Sequence, residues 1–183
     1  MDDQGLWVFG YGSLIWNPEF YYQERHIAVM HGYHRSFCMH SIHHRGTEAD
    51  PGLVLALDKM KGASCTGVAF YVVPENRERT LTQLRERELI SSAYYEDTLP
   101  VTLQNGETVD TVAYIIDPDH VQYCGGMALE DQAKIIAKAV GGRGPNWEYL
   151  VNTADHLHEL GINDPDLDWL SARVRHLREN SGG

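Results

Sequence analysis

Thr98-Leu-Pro-Val-Thr-Leu-Gln-Asn-Gly-Glu-Thr-Val-Asp-Thr-Val-Ala-Tyr-Ile-Ile116 is the stretch that decides the fold. Two runs, Thr98–Leu103 and Thr108–Ile116, flank Asn105-Gly106, and a type I′ turn needs two central residues that tolerate positive φ, as Asn and Gly do. The segment therefore reads as an antiparallel hairpin. Upstream, Leu6–Phe9, Gly52–Leu57 and Thr66–Val73 are rich in Val, Leu or aromatic residues and bounded by Gly, Pro or Asp, the pattern of further strands. Helical periodicity takes over downstream. Leu129, Ala133, Ile136 and Val140 share a stripe that stops at Gly141-Gly142, and Leu150, Ala154, Leu157 and Leu160 form another that stops at Gly161. In the last helix Asp164 is placed to cap, Pro165 suits the first position, and Leu167, Leu170, Val174 and Leu177 line one face before the polar tail Asn180 to Gly183. Strands before helices, antiparallel pairing and no βαβ alternation predict an α+β domain: a small mixed or antiparallel β-barrel or curled sheet with flanking helices.

With 183 residues, 43% of them hydrophobic and 22% charged, the chain suits one globular domain over residues 1–183 with a single core. A net charge of −11 argues against nucleic-acid or anionic-membrane partners, which demand a basic face. Cys38, Cys65 and Cys124 are odd in number and form no CxxC pair, so neither a disulfide framework nor a zinc site is expected and a reducing cytoplasm fits. Met1-Asp2-Asp3 has the wrong sign for a signal peptide, and the apolar stretch Trp7 to Trp16 is too short to span a bilayer. His40-x-x-His43-His44 has no Cys or carboxylate pattern to complete a metal site. Ser13 lacks a GxSxG elbow, and Gly141-Gly142-Arg143-Gly144-Pro145 lacks the lysine of a phosphate loop. The sequence leaves the oligomeric state open.

Two segments carry candidate chemistry. In Val8-Phe9-Gly10-Tyr11-Gly12-Ser13-Leu14-Ile15-Trp16 an apolar strand runs into two glycines flanking a tyrosine. Backbone amides around such glycines can form an anion-binding nest, with the Ser13 hydroxyl as a further donor; a plain structural glycine turn is the alternative. After Pro74, Glu75–Ile90 is charged almost throughout, yet at 100° per residue Glu88 falls between Leu81 and Leu84 while Glu86 points well away. Burial there would raise the pKa of Glu88 and make it a usable base. Periodicity alone also allows a helix-end glutamate that is solvated or paired with Arg85.

VFGYGSLIW resembles the N-terminal signature of the ChaC-like γ-glutamylcyclotransferases. Further landmarks of that family follow in order: Arg35 in His34-Arg35-Ser36-Phe37, then His44-Arg45-Gly46, Arg87-Glu88 and Glu148-Tyr149-Leu150. The resemblance covers about residues 6 to 155. It implies a cofactor-free enzyme that cleaves glutathione into 5-oxoproline and cysteinylglycine, with Val8, Phe9, Gly10, Tyr11, Gly12, Ser13 and Leu14 holding the γ-glutamyl group and Glu88 as acid/base. Arg85-Glu86-Arg87-Glu88 offers two Arg-Glu pairs, and the helix face selects Glu88 over Glu86. A substrate with two carboxylates calls for local positive charge, with Arg35 the first candidate and Arg45 the second. Tyr94 and Tyr149 are candidates to donate hydrogen bonds or to cover the substrate, or else are core aromatics. Two alternatives stay open: a cyclotransferase for γ-glutamyl amino acids or γ-glutamylamines, and a non-catalytic γ-glutamyl-binding regulatory protein.

Overall fold

The computed structural model describes residues 5–89 and 92–181. Met1-Asp2-Asp3, the predicted helix end at Ile90 and the final Gly182-Gly183 lie outside the described residues. In chain order the elements are β1 (Leu6–Gly10), α1 (Ser13–Trp16), β2 (Glu24–Ser41), β3 (Gly52–Val72), a 3-10 turn (Pro74–Asn76), α2 (Arg77–Glu88), β4 (Tyr94–Leu103), β5 (Thr108–Ile116), α3 (Leu129–Lys138), β6 (Val140–Gly141), β7 (Gly144–Pro145), α4 (Asn146–Glu159) and α5 (Pro165–Ser181). The five longer strands form a closed barrel in the order β1-β3-β2-β4-β5. It is a mixed barrel: β1–β3, β2–β4 and β4–β5 are antiparallel, whereas β1 and β5 meet in parallel at Val8 and Val112. The α+β expectation holds, and of its two forms, barrel or curled sheet, the strands take the barrel.

The hairpin is present, with Thr98 opposite Val112 and Thr102 opposite Thr108. Its turn differs from the type I′ expectation. Only Gly106 takes positive φ, at 93°, and its N–H donates to Leu103 O at 2.9 Å, while the Leu103 N–H donates to Glu107 O at 2.7 Å. The loop thus has three residues closed by a left-handed glycine, another common hairpin solution. Asn105 contributes through its side chain, accepting a hydrogen bond from the Glu107 N–H at 2.9 Å.

Sequence periodicity did not find β2. Its buried residues alternate as Ala28 and Met30, then as Tyr33, Arg35 and Phe37, so the inward set changes parity at Gly32, whose φ is +87°. An extra residue of this kind is how a bulge re-aims a strand, and it erases the simple period of two. In β3 the two predicted strands are one: the segment between them, Lys59–Gly62, is exposed and so carries no apolar signal.

Two compact units divide the chain, Met1–Arg35 with Ala56–Val121 and Ser36–Leu55 with Gln122–Gly183. The first contains β1, β4, β5, α1 and α2, and its core includes Val8, Phe9, Met30, Leu57, Phe70 and Ile115. The second contains α3, α4 and α5, with Ala133, Ile136, Leu150, Leu157, Leu170 and Val174 buried. Asp164 caps α5 as the sequence indicates, accepting from the Leu167 N–H at 3.1 Å. By contrast α3 ends at Lys138, and Val140, predicted on its apolar stripe, lies in β6 at 56% exposure.

In the second unit Asn146 is fully buried and acts as a strand partner: its amide donates to Leu53 O at 2.8 Å and its Oδ1 accepts from the Leu53 N–H at 2.8 Å. Removing that side chain orphans a buried donor and a buried acceptor together. Asn146→Ala is therefore expected to lower stability by about 2–4 kcal/mol, read as a shift in urea unfolding midpoint.

Candidate active site

The glycine loop leaves β1 from a strand that is almost wholly buried. Val8 and Phe9 are 0% exposed and Leu14 is 6% exposed, so these side chains anchor the loop in the core. A Cβ on Gly10 would sit 3.0 Å from Phe70 Cε2 and 3.2 Å from Leu14 Cβ, which leaves little room for any larger residue there. Tyr11 is 8% exposed, and its hydroxyl donates to Tyr114 O at 3.2 Å. Its carbonyl accepts from Arg35 Nη1 at 3.2 Å, and the same nitrogen donates to Thr66 O at 2.8 Å. Arg35, buried at 7% exposure, thus braces the loop against β3, a part that sequence reasoning did not assign to it.

Gly12 leads into α1, where the Ile15 N–H donates to Gly12 O at 2.9 Å and the Asn17 N–H to Ser13 O at 2.7 Å. The nest expected here would need a left-handed residue, and Gly10, Tyr11, Gly12 and Ser13 all lack positive φ. The N–H groups that remain without an intrahelical partner are instead those of the first turn of α1.

Glu88 is the last residue of α2. Leu81 and Leu84 on the same helix are 7% and 1% exposed, and the Glu88 side chain is 15% exposed. Glu86 is exposed and borders an open cavity of about 260 Å³ with Pro18, Glu19, Phe20, Gln83, Leu84 and Arg87. The two glutamates are thus separated by the helical period as the sequence suggests. Arg87 Nε lies 3.4 Å from Glu88 Oε1, and its Nη2 donates to the Ser13 hydroxyl oxygen at 2.9 Å. One guanidinium therefore touches both the glycine loop and the glutamate.

Glu88 also acts on Tyr114, a 2% exposed residue of β5. Burial chiefly, then the hydrogen bond to and charge of Glu96, then the charge of Glu88, push the Tyr114 hydroxyl well above its ordinary range. Tyr114 donates to Glu96 Oε1 at 2.8 Å, and Arg85 grips both Glu96 oxygens at 3.0 Å. Neither Tyr114 nor Glu96 was singled out from sequence, because a tyrosine in a continuous buried run has the same pattern as a core residue. Tyr94 opens β4 opposite Ile116 and is partly buried.

Tyr149 and Arg45 belong to the second unit. Tyr149 is 7% exposed and its hydroxyl accepts from the Leu55 N–H at 3.1 Å, with Phe37 packed edge-on at 6.0 Å between ring centroids. Arg45, 5% exposed, donates to Pro145 O at 3.0 Å and stands 5.8 Å from the Tyr149 ring centroid. Burial pulls the Arg45 pKa below its ordinary value, opposed by the charge of Glu148. Tyr149 ties α4 to β3, and Arg45 ties the segment before β3 to Pro145 and the Tyr149 ring.

Residues 6–177 match the family described as ChaC-like protein, and the chain belongs to that family. It is 37% identical over 176 residues to the glutathione-specific gamma-glutamylcyclotransferase of Escherichia coli (strain K12), covering 96% of this chain and 75% of that one. It is 35% identical over 182 residues to gamma-glutamylcyclotransferase 2-3 of Arabidopsis thaliana, covering 96% and 92%. Among solved structures, a yeast gamma-glutamyl cyclotransferase specific to glutathione matches with a TM-score of 0.87 at 26% identity, over 97% of this chain and 98% of that one.

The Glu96 contacts have a pH signature. Hydrogen bonding from Arg85 first, then from Tyr114, holds the Glu96 carboxyl below the usual carboxylate range against the opposing effect of burial. A depressed folded pKa contributes stability that is present above the unfolded value and lost as pH falls through the folded one. Glu96→Gln is expected to unfold at lower urea than the native protein at neutral pH, with the gap closing in acid; a gap that widens in acid would contradict the assignment.

Proposed function

We infer that this chain is a glutathione-specific γ-glutamylcyclotransferase whose acid/base is Glu88. The observation that carries the reading is the placement of Glu88 beside Arg87, which in turn bonds Ser13 of the glycine loop. Family membership and the glutathione-specific relatives support the substrate. In the reaction the α-amino group of the γ-glutamyl moiety attacks its own γ-carbonyl carbon, a five-membered lactam closes, and the amide bond to cysteinylglycine breaks. No protein nucleophile is required. Holding the amine against the carbonyl supplies much of the acceleration, since well-oriented intramolecular reactions reach effective molarities on the order of 10⁵ to 10⁸ M.

Glu88 takes the proton of the attacking amine and delivers it to the departing nitrogen, a role worth roughly 10² to 10⁴ in rate. An unperturbed glutamate titrates at about 4.3 and an α-ammonium at about 8, a gap that holding the amine against the carboxylate must bridge. Val8 to Leu14 hold the γ-glutamyl group: the core side chains fix the loop, and backbone N–H groups at the start of α1 with the Ser13 hydroxyl face its carboxylate or the developing oxyanion. Arg35 acts through Tyr11 O by keeping that loop in place. Tyr94 binds substrate in this reading, while Tyr149, in the second unit, has its hydroxyl at the Leu55 N–H.

We treat residues 1–183 as a single γ-glutamylcyclotransferase-like domain, a reading supported by one family match that includes segments of both units. Among the described residues no helix is long and apolar enough to cross a membrane. The thiols of Cys38, Cys65 and Cys124 suit a reducing, cytoplasmic setting, and the charge of −11 is unsuited to nucleic acid.

Incubation of the purified protein with glutathione is expected to yield 5-oxoproline and cysteinylglycine by mass spectrometry. Glu88→Gln should still bind glutathione in calorimetry while kcat falls by about 10²-fold or more. Unchanged kcat in that variant would remove Glu88 from the mechanism, and faster turnover of γ-glutamylalanine than of glutathione would favour the amino-acid cyclotransferase reading.

A further inference from the structure

We propose that Arg87 is the positioning residue of this site, a clamp that sets the Glu88 carboxylate and the Ser13 hydroxyl in fixed register. The proposal rests on the functional reading above. The guanidinium is 14% exposed and its donors are divided among separate pieces of chain. Nη2 donates to Ser13 Oγ at 2.9 Å, at the first residue of α1. Nη1 donates at 2.6 Å to the carbonyl of Asn17, the residue that caps the other end of α1. Nε faces Glu88 Oε1 at 3.4 Å. The short helix that follows the glycine loop is thus held at both ends by one side chain, and the same side chain reaches the candidate base.

Rigidity makes this more than a surface ion pair. A guanidinium is planar and presents its N–H groups in a fixed fork, so its partners cannot move independently; an ammonium on a flexible stem imposes no such relation. The local backbone fits a held segment. Glu19 is a non-glycine residue with φ of +62°, and its carboxylate lies 3.1 Å from Asn17 Nδ2 and 3.5 Å from Arg87 Nη1. Charge adds a second reason. Glu88 closes α2, and the C-terminal end of a helix is the negative pole, where a carboxylate is disfavoured unless a cation stands beside it.

A purely structural arginine would tie α2 to α1 and nothing more, so the test must separate stability from chemistry. Steady-state kinetics with glutathione would be measured for Arg87→Lys, Arg87→Met, Ser13→Ala and the Arg87→Met, Ser13→Ala double variant, alongside thermal unfolding. Arg87→Met is expected to lower kcat by about 10²-fold, the scale of an ångström-sized misplacement, and to raise KM. Ser13→Ala should raise KM with a smaller effect on kcat. In the double variant the KM effects should be less than additive, because both changes remove one contact, while the kcat loss of Arg87→Met persists. Arg87→Lys keeps the charge and is expected to keep most of the thermal stability while kcat stays at least about tenfold down. Arg87 also lines the open cavity of about 260 Å³, so methylguanidine has a path to the vacated position. It should restore kcat in Arg87→Ala, at concentrations that leave kcat of the native protein unchanged. Native kcat and KM in Arg87→Lys or Arg87→Met would overturn the proposal, as would fully additive KM effects or an absence of rescue in a folded Arg87→Ala protein. If Arg87→Met does not fold, Arg87→Lys decides. Failure of the wild-type protein to form 5-oxoproline would instead strike the functional reading itself.

Discussion

Pairing of β1 on both of its edges is the constraint on which the rest of the site depends. Its five residues run antiparallel to β3 from Leu6 opposite Val72 to Gly10 opposite Val68, and Val8 meets Val112 of β5 in parallel. A strand flanked on both sides cannot slip, because a one-residue shift would turn every core side chain to the other face. Close approach pins the same register. A Cβ on Gly67 would stand 2.4 Å from Gly10 O, so β3 passes the end of β1 at a distance that only glycine permits. The chain therefore leaves the barrel at Gly10 in one direction, and the glycine loop inherits that direction.

Around the loop, two arginines stand in for the packing that a turn cannot provide. Arg35 ties Tyr11 O to Thr66 O, and Arg87 ties Ser13 to Asn17 and to Glu88. Each guanidinium gives hydrogen bonds to carbonyl or hydroxyl oxygens as well as any ion pair it makes, which is the condition under which a desolvated charge is tolerated.

What the sequence disclosed and what it hid divide along the range of the interactions. Local signals were legible: the hairpin of β4 and β5, the Asp164 cap and the separation of Glu88 from Glu86 by the period of α2. Long-range ones were not. Closure of the barrel rests on the parallel contact of Val8 with Val112, between strands about a hundred residues apart, and no local pattern encodes such a register. β2 was hidden because Gly32 changes the parity of its buried face. The landmark Arg87-Glu88 was visible as a motif, but the work of Arg87 depends on where the carbonyl of Asn17 comes to rest, which only the folded chain fixes.

The central claim is that Glu88 and the glycine loop share one substrate. A crystal structure of the Glu88→Gln protein soaked with glutathione tests it most directly. The account predicts the γ-glutamyl α-amino group within hydrogen-bond distance of the residue 88 side chain, and its carboxylate or γ-carbonyl oxygen at the amides that follow Gly10. A γ-glutamyl group bound with its amine remote from residue 88 would contradict it.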